Sequence, residues 1–126
     1  MESTIVRSTE TRRSETSGGV MTTLVSPTLS GPTATSLWRV ELKAGQSGPV
    51  HYIDSPQIWT VLSGRASIRV QGTAHELATG DTIAIDGASE RQVVATDDTI
   101  FLVCGQSDAK ASLAADTPGV TPPWIA

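Results

Sequence analysis

The sequence predicts an all-β fold, a sandwich or barrel of antiparallel strands. Helical periodicity is hard to find anywhere in its 126 residues. Between Thr22 and Cys104, short runs rich in Val, Ile, Thr and Leu are broken by Gly, Pro, Asp and Ser at intervals of about eight to twelve residues. Where a run is long enough to test, charged and apolar residues alternate, as in Leu37-Trp38-Arg39-Val40-Glu41-Leu42-Lys43.

Each expected strand follows from such a run. The first lies at 22–25, a short Thr-rich and Val-rich stretch, and the second at 36–42, where Trp38, Val40 and Leu42 point inward. A third at 48–52 and a fourth at 57–63 follow, and the period puts Gln57, Trp59 and Val61 on one face although both faces of that run are apolar. The strand at 66–71 sends Ile68 and Val70 inside and Ser67 and Arg69 outside, with Arg65 just before it also outside. Gln71-Gly72-Thr73 reads as a tight hairpin turn into a strand at 74–77. Strands at 82–85, 90–95 and 99–104 complete the set, punctuated by Gly45, Gly64 and Gly80.

Composition bounds the rest. The chain, 13.2 kDa with 38% hydrophobic residues, allows one domain with a modest core. A formal net charge of −4 without a basic stripe argues against nucleic acid, and no apolar run approaches a bilayer-spanning length. Cys104 is the single cysteine, so no intrachain disulfide forms, which fits a reducing cytoplasm.

Residues 1–21 are rich in Ser, Thr, Glu and Arg, lack the apolar centre of a signal peptide, and are expected to be a disordered extension. Met21 opens the more apolar segment and offers an alternative start. The barrel is expected over 22–106. Residues 107–126 form a tail whose terminal Trp124-Ile125 is costly to leave in water, so it is expected to pack on the barrel wall or on a partner subunit.

The segment from Gly45 through His51, Ile53 and Gln57 to Gly64 resembles the first motif of the cupin superfamily. That motif runs Gly, five residues, His, one residue, His, three or four residues, Glu, six residues, Gly. Ile53 stands at the second His position and Gln57 at the Glu position. The second motif runs Gly, five residues, Pro, one residue, Gly, two residues, His, three residues, Asn. Only Gly80 matches it outright; Asp86, Ala88, Arg91 and Ala95 replace the other positions. The resemblance covers roughly residues 36 to 104 and implies an antiparallel jelly-roll β-barrel of the cupin type, in a family whose small members commonly form homodimers.

Carried over position by position, the family's three-His, one-carboxylate metal set becomes His51, Ile53, Gln57 and Arg91. Ile cannot ligate, Gln is a weak neutral donor and Arg stays protonated, so neither metal nor any other cofactor is expected. The same positions can instead form an organic-ligand pocket. His51 would be the acid or base, and Arg91 a forked donor to a carboxylate, phenolate or enolate oxygen. Gln57 would orient the substrate, and Trp38 and Trp59 would supply flat walls, with Val40, Ile53 and Phe101 in the apolar lining.

Plainer readings compete. His51 is equally at home as a hydrogen-bonded core histidine, and Arg91 as a solvent-facing side chain or a partner of Asp54, Asp86 or Glu90. Trp38 and Trp59 can be ordinary barrel filling. An inward Arg91 requires either an acidic neighbour or an anionic ligand.

The resulting expectation is a metal-independent isomerase or cyclase acting on a small oxygenated, possibly anionic substrate, of the kind met in bacterial specialised metabolism. A non-catalytic small-ligand-binding cupin is the alternative, and a metal-dependent dioxygenase the third. The strand-end Cys104 reads more readily as structural than as a nucleophile, and without a Gly-x-Ser-x-Gly turn a hydrolase triad is unsupported.

Overall fold

A computed structural model describes residues 3–126. The chain is almost entirely β. Its strands are β1 (Arg12–Thr16), β2 (Gly19–Val25), β3 (Thr35–Leu42), β4 (His51–Ile53), β5 (Gln57–Ser63), β6 (Arg65–Val70), β7 (Thr73–Ala78), β8 (Thr82–Ile85), β9 (Glu90–Ala95), β10 (Thr99–Gln106) and β11 (Ala111–Ser112). A one-turn helix, α1 (Pro27–Ser30), joins β2 to β3.

The strands form two antiparallel sheets, ordered β1-β2-β3-β10-β5-β8 and β11-β4-β9-β6-β7. This is the expected jelly-roll sandwich. The inner faces follow strand alternation: Trp38, Val40 and Leu42 of β3 meet Ile68 of β6 and Val93 of β9 in one buried cluster. The β6–β7 hairpin closes with Val70 opposite Thr73, and Gln71 and Gly72 both take positive φ (50° and 80°), as a tight two-residue turn requires. The expected strand at 48–52 begins only at His51, because Pro49 has no N–H to give a ladder.

Residues 12–20 differ from the expected disorder. They form β1 and the start of β2, paired from Arg12 opposite Thr23 to Thr16 opposite Gly19. Composition misled here because β1 is an edge strand that buries little and is held by polar bonds instead. The Arg12 guanidinium donates to Thr28 Oγ1 (2.6 Å), Ser26 Oγ (3.2 Å), Pro123 O (2.9 Å) and Ala126 O (2.8 Å). Positions 1 and 2 of that extension lie outside the described residues.

The last segment folds back over β2 and β3. Ser36 Oγ donates to Ile125 O (2.6 Å), Thr23 Oγ1 donates to Trp124 O (2.7 Å), and Ile125 is fully buried in the core. Among the described residues no helix is long and apolar enough to cross a membrane.

Candidate functional site

Between the two sheets lies a cavity of about 600 Å³, walled by β3, β4, β5 and β9, by the β1–β2 turn and by the C-terminal segment. All three tryptophans of the chain, Trp38, Trp59 and Trp124, line it. Met21, Val40, Leu42, Ile53, Val93 and Ile125 add aliphatic surface. Among the described residues no Asp, Glu, Lys or Arg lines it.

His51 is the titratable group in the wall. Its Nδ1 lies 2.8 Å from Pro49 O. A carbonyl only accepts, so Nδ1 carries the proton and Nε2 keeps its lone pair. Burial lowers the imidazole pKa below its usual 6.5, the Pro49 carbonyl raises it in part, and the nearby Arg91 charge lowers it further. His51 is therefore a neutral base at pH 7.

Gln57, buried on β5, is the second polar side chain. The indole Nε1–H of Trp59 donates to its Oε1 at 3.1 Å. An indole N–H cannot accept, so this bond fixes the amide and leaves its NH2 as the group a ligand can meet. Gly105 of β10 pairs with Gln57, and a Cβ there would stand 3.0 Å from Gln57 Cγ, so any side chain at 105 would press on Gln57. Trp59 is braced in turn by the edge of Phe101, with ring centroids 5.1 Å apart and an 80° interplanar angle.

Two expected site residues fall elsewhere. Phe101 is fully buried behind Trp59 and does not line the cavity. Arg91 stands opposite His51 in the β4–β9 ladder, hence on the inner face, yet its side chain does not line the cavity either. Its Nε donates to Ser89 O (3.1 Å) and its Nη2 to Asp86 O (2.9 Å), while Nη1 is buried without a partner. Among the described residues no carboxylate lies within ion-pair distance of it. Burial pushes its pKa down to about 10, which still leaves it charged at neutral pH. The guanidinium is drawn to the carbonyls of the turn before β9 because they are the acceptors within reach of a side chain that alternation turned inward.

His51, Ile53, Gln57, Trp38, Val40 and Trp59 do meet in one cavity. Sequence reasoning missed the cover over its mouth. Thr16, Ser17 and Gly18 close one side, with Gly18 so near Gly48 that a Cβ would stand 3.2 Å from Gly48 Cα, and Gln46 Nε2 donates to Ser17 O at 2.9 Å. Pro122, Trp124 and Ile125 close another. The apolar terminal pair was the signal for the second; nothing in the polar hairpin signalled the first.

A metal ion of the kind cupins carry does not fit these donors. The positions supply one imidazole, one amide whose oxygen is already engaged, an isoleucine and a guanidinium. Among the described residues no three His, Cys, Asp or Glu side chains come close enough to share an ion.

Two facing antiparallel sheets around a lined cavity define a cupin-type barrel. The Cupin domain family matches residues 38–104, and the chain belongs to the cupin family. No curated protein matches. The fold is similar to that of an RmlC-like cupin from Shewanella frigidimarina, with 16% identity, 81% of this chain and 88% of that one covered, and a TM-score of 0.70. KdgF from Halomonas sp. is similar at 16% identity, with 83% and 94% covered and a TM-score of 0.71. Salicylate 1,2-dioxygenase from Pseudoaminobacter salicylatoxidans, solved with gentisate, is similar at 14% identity over 80% of this chain and 30% of that one, with a TM-score of 0.70.

Proposed function

We propose that this cupin binds a small, uncharged, mostly apolar carbonyl compound and moves a proton on it without a metal ion, as an isomerase or cyclase does. One observation carries the reading: His51 as a neutral base and Gln57 as a fixed N–H donor are the strongest polar groups in a cavity walled by three tryptophans and, among the described residues, free of charged side chains. His51 Nε2 takes a proton from a carbon next to the carbonyl. In a β,γ-unsaturated carbonyl compound the C–H electron pair becomes a new C=C bond and the carbonyl π pair moves onto oxygen, where the Gln57 N–H groups meet the developing dienolate. The protonated imidazole returns the proton to the γ-carbon, giving the conjugated isomer with no oxidant or reductant consumed.

Arg91 has no part in this step, and an anionic substrate is disfavoured, because among the described residues no cationic side chain lines the cavity to compensate a desolvated negative charge. An apolar wall with two polar anchors also serves a non-catalytic ligand-binding barrel.

The test uses aryl and alkyl ketones as probes. Binding is read by tryptophan fluorescence and proton transfer by deuterium uptake at the α-carbon in D2O. The wild type is expected to bind and exchange, and His51→Ala to bind without exchanging. Binding without exchange in the wild type would make the chain a binder, and preference for carboxylates over ketones would overturn the substrate class.

A further inference from the structure

The apolar lining of the cavity does not end at its mouth. Leu113 and Val120 belong to that lining, yet they are 75% and 71% exposed, the two most exposed large apolar side chains among the described residues. Scattered singly, such residues mean little, but two beside one opening form a surface. Register joins them to the interior. Ala111 stands opposite Ile53 in the β11–β4 ladder, and Val120 stands opposite Ala111 in a bridge beyond it. Residues directly opposite share a face. Ile53, Ala111 and Val120 therefore form one apolar row, running from the buried wall, where Ile53 is 3% exposed, out to water.

The lip is held in place by backbone. Ala111 and Val120 exchange both of their N–H···O bonds (2.8 and 3.0 Å), and the Thr117 N–H donates to Ala114 O at 3.2 Å in the turn between them. Gly119 lets the returning chain come this close, since a Cβ there would stand 2.8 Å from Ala111 O. The opposite side of the mouth differs in kind, for Thr16 and Ser17 there are exposed and polar. The opening thus has an aliphatic side and a hydroxyl side. An aliphatic chain leaving the cavity lies along the first, and water wets the second.

We propose that the ligand of this cupin carries an aliphatic tail that leaves the cavity along the row Ile53–Ala111–Val120 and rests on Leu113 at the lip. The inference rests on the reading that the cavity takes an uncharged carbonyl compound. It adds what that compound carries: a tail longer than the cavity, with the reacting carbonyl at the His51–Gln57 end. Such a tail supplies binding energy far from the reacting atoms and covers the apolar surface that Leu113 and Val120 otherwise present to water.

Straight-chain methyl ketones from butanone to dodecanone test it, with the matching alcohols as probes that lack the carbonyl. Binding to the full chain is read by tryptophan fluorescence. Affinity should rise about three- to fourfold per methylene inside the cavity and about twofold on the lip, where one side of the tail stays wet. The double variant Leu113→Gln with Val120→Thr should lower the dodecanone-to-butanone affinity ratio about five- to tenfold, as roughly three half-covered methylenes lose their apolar contact. Leu113→Met with Val120→Ile should return the ratio to within about twofold of wild type. The ratio is read within one protein, so a variant that folds less well changes both of its terms alike. A wild-type series that levels off among the short ketones, or a polar variant with the wild-type ratio, would overturn the inference. Phosphatidylcholine vesicles that then bind the wild type and not the polar variant would give the lip to a lipid surface instead. Alcohols that bind as tightly as ketones and depend on the lip in the same way would remove the carbonyl reading and leave the tail.

Discussion

The indole of Trp59 holds the amide of Gln57, with Nε1 donating to Oε1 at 3.1 Å across one intervening residue of β5. The two side chains share a face because a strand repeats every two residues, and the bond turns an ambiguous amide into a directed donor. Gln57→Glu keeps the acceptor for Trp59 but replaces the NH2 by a carboxylate oxygen. Ketone binding should fall by at least about tenfold, as a buried charge replaces a donor. Trp59→Phe should cost less, about three- to tenfold, because the amide stays but loses its fixed orientation. A fluorescence titration in which Gln57→Glu binds ketones as well as wild type would remove Gln57 from the proposed site.

The pH behaviour of His51 follows from its environment. Its folded pKa lies below the unfolded value of 6.5, chiefly through burial. In the window between the two, the unfolded chain binds more protons, so stability rises with pH there. The contribution is present above 6.5 and is lost as pH falls through the folded pKa. α-Proton exchange, by contrast, should hold through that window and fall only as pH drops through the folded pKa, where His51 in the folded chain takes up its proton. Urea unfolding of wild type and His51→Gln between about pH 4 and 8 checks the first part, and a variant that keeps the wild-type acid slope would assign it to another group.

How much of this was legible in the sequence depended on backbone alternation. Trp38, Val40, Leu42 and Ile68 are inside because charged or polar residues alternate with them, and period-two reading found them, whereas Gln57 and Trp59 flank the apolar Ile58 and their face was assigned partly from the cupin resemblance. The same rule turned Arg91 inward correctly, but it ends at Cβ. Four further torsions carry the guanidinium to Asp86 and Ser89 carbonyls and out of the cavity, and no strand pattern encodes that. β1 was illegible for another reason. Arg12-Arg13-Ser14-Glu15-Thr16 has no apolar alternation, and its order rests on the ladder with β2 and on Arg12 bonds that reach residues more than a hundred positions away.

Arg91 then makes a separating prediction. Because it does not line the cavity, Arg91→Met should leave ketone binding within about twofold of wild type. It should change stability by no more than about 1–2 kcal/mol, since loss of a buried, unpaired charge offsets the two carbonyl bonds forfeited. A tenfold loss of ketone affinity in a variant that unfolds like wild type would return the guanidinium to the site.

Two backbone positions of the cupin motifs carry opposite expectations. Gly64 has φ of +90°, and a Cβ there would lie 2.1 Å from Asp98 O and 2.8 Å from Thr99 Cα. Both neighbours are backbone, so nothing yields cheaply. Gly64→Ala should cost more than about 3 kcal/mol through overpacking added to a left-handed conformation. Ala88 stands where the second motif has glycine, and it keeps the glycine-like geometry at φ +64° while its N–H donates to Ile53 O at 2.7 Å. Holding an alanine there costs about 1–2 kcal/mol. Glycine relieves that cost and gives back roughly 0.5–1 kcal/mol of it as greater freedom in the unfolded chain. Ala88→Gly should therefore stabilise the protein by about 0.5–1 kcal/mol, read as a higher urea midpoint at unchanged slope. A lower midpoint would mean that the Ala88 methyl makes packing contacts worth more than the strain it carries.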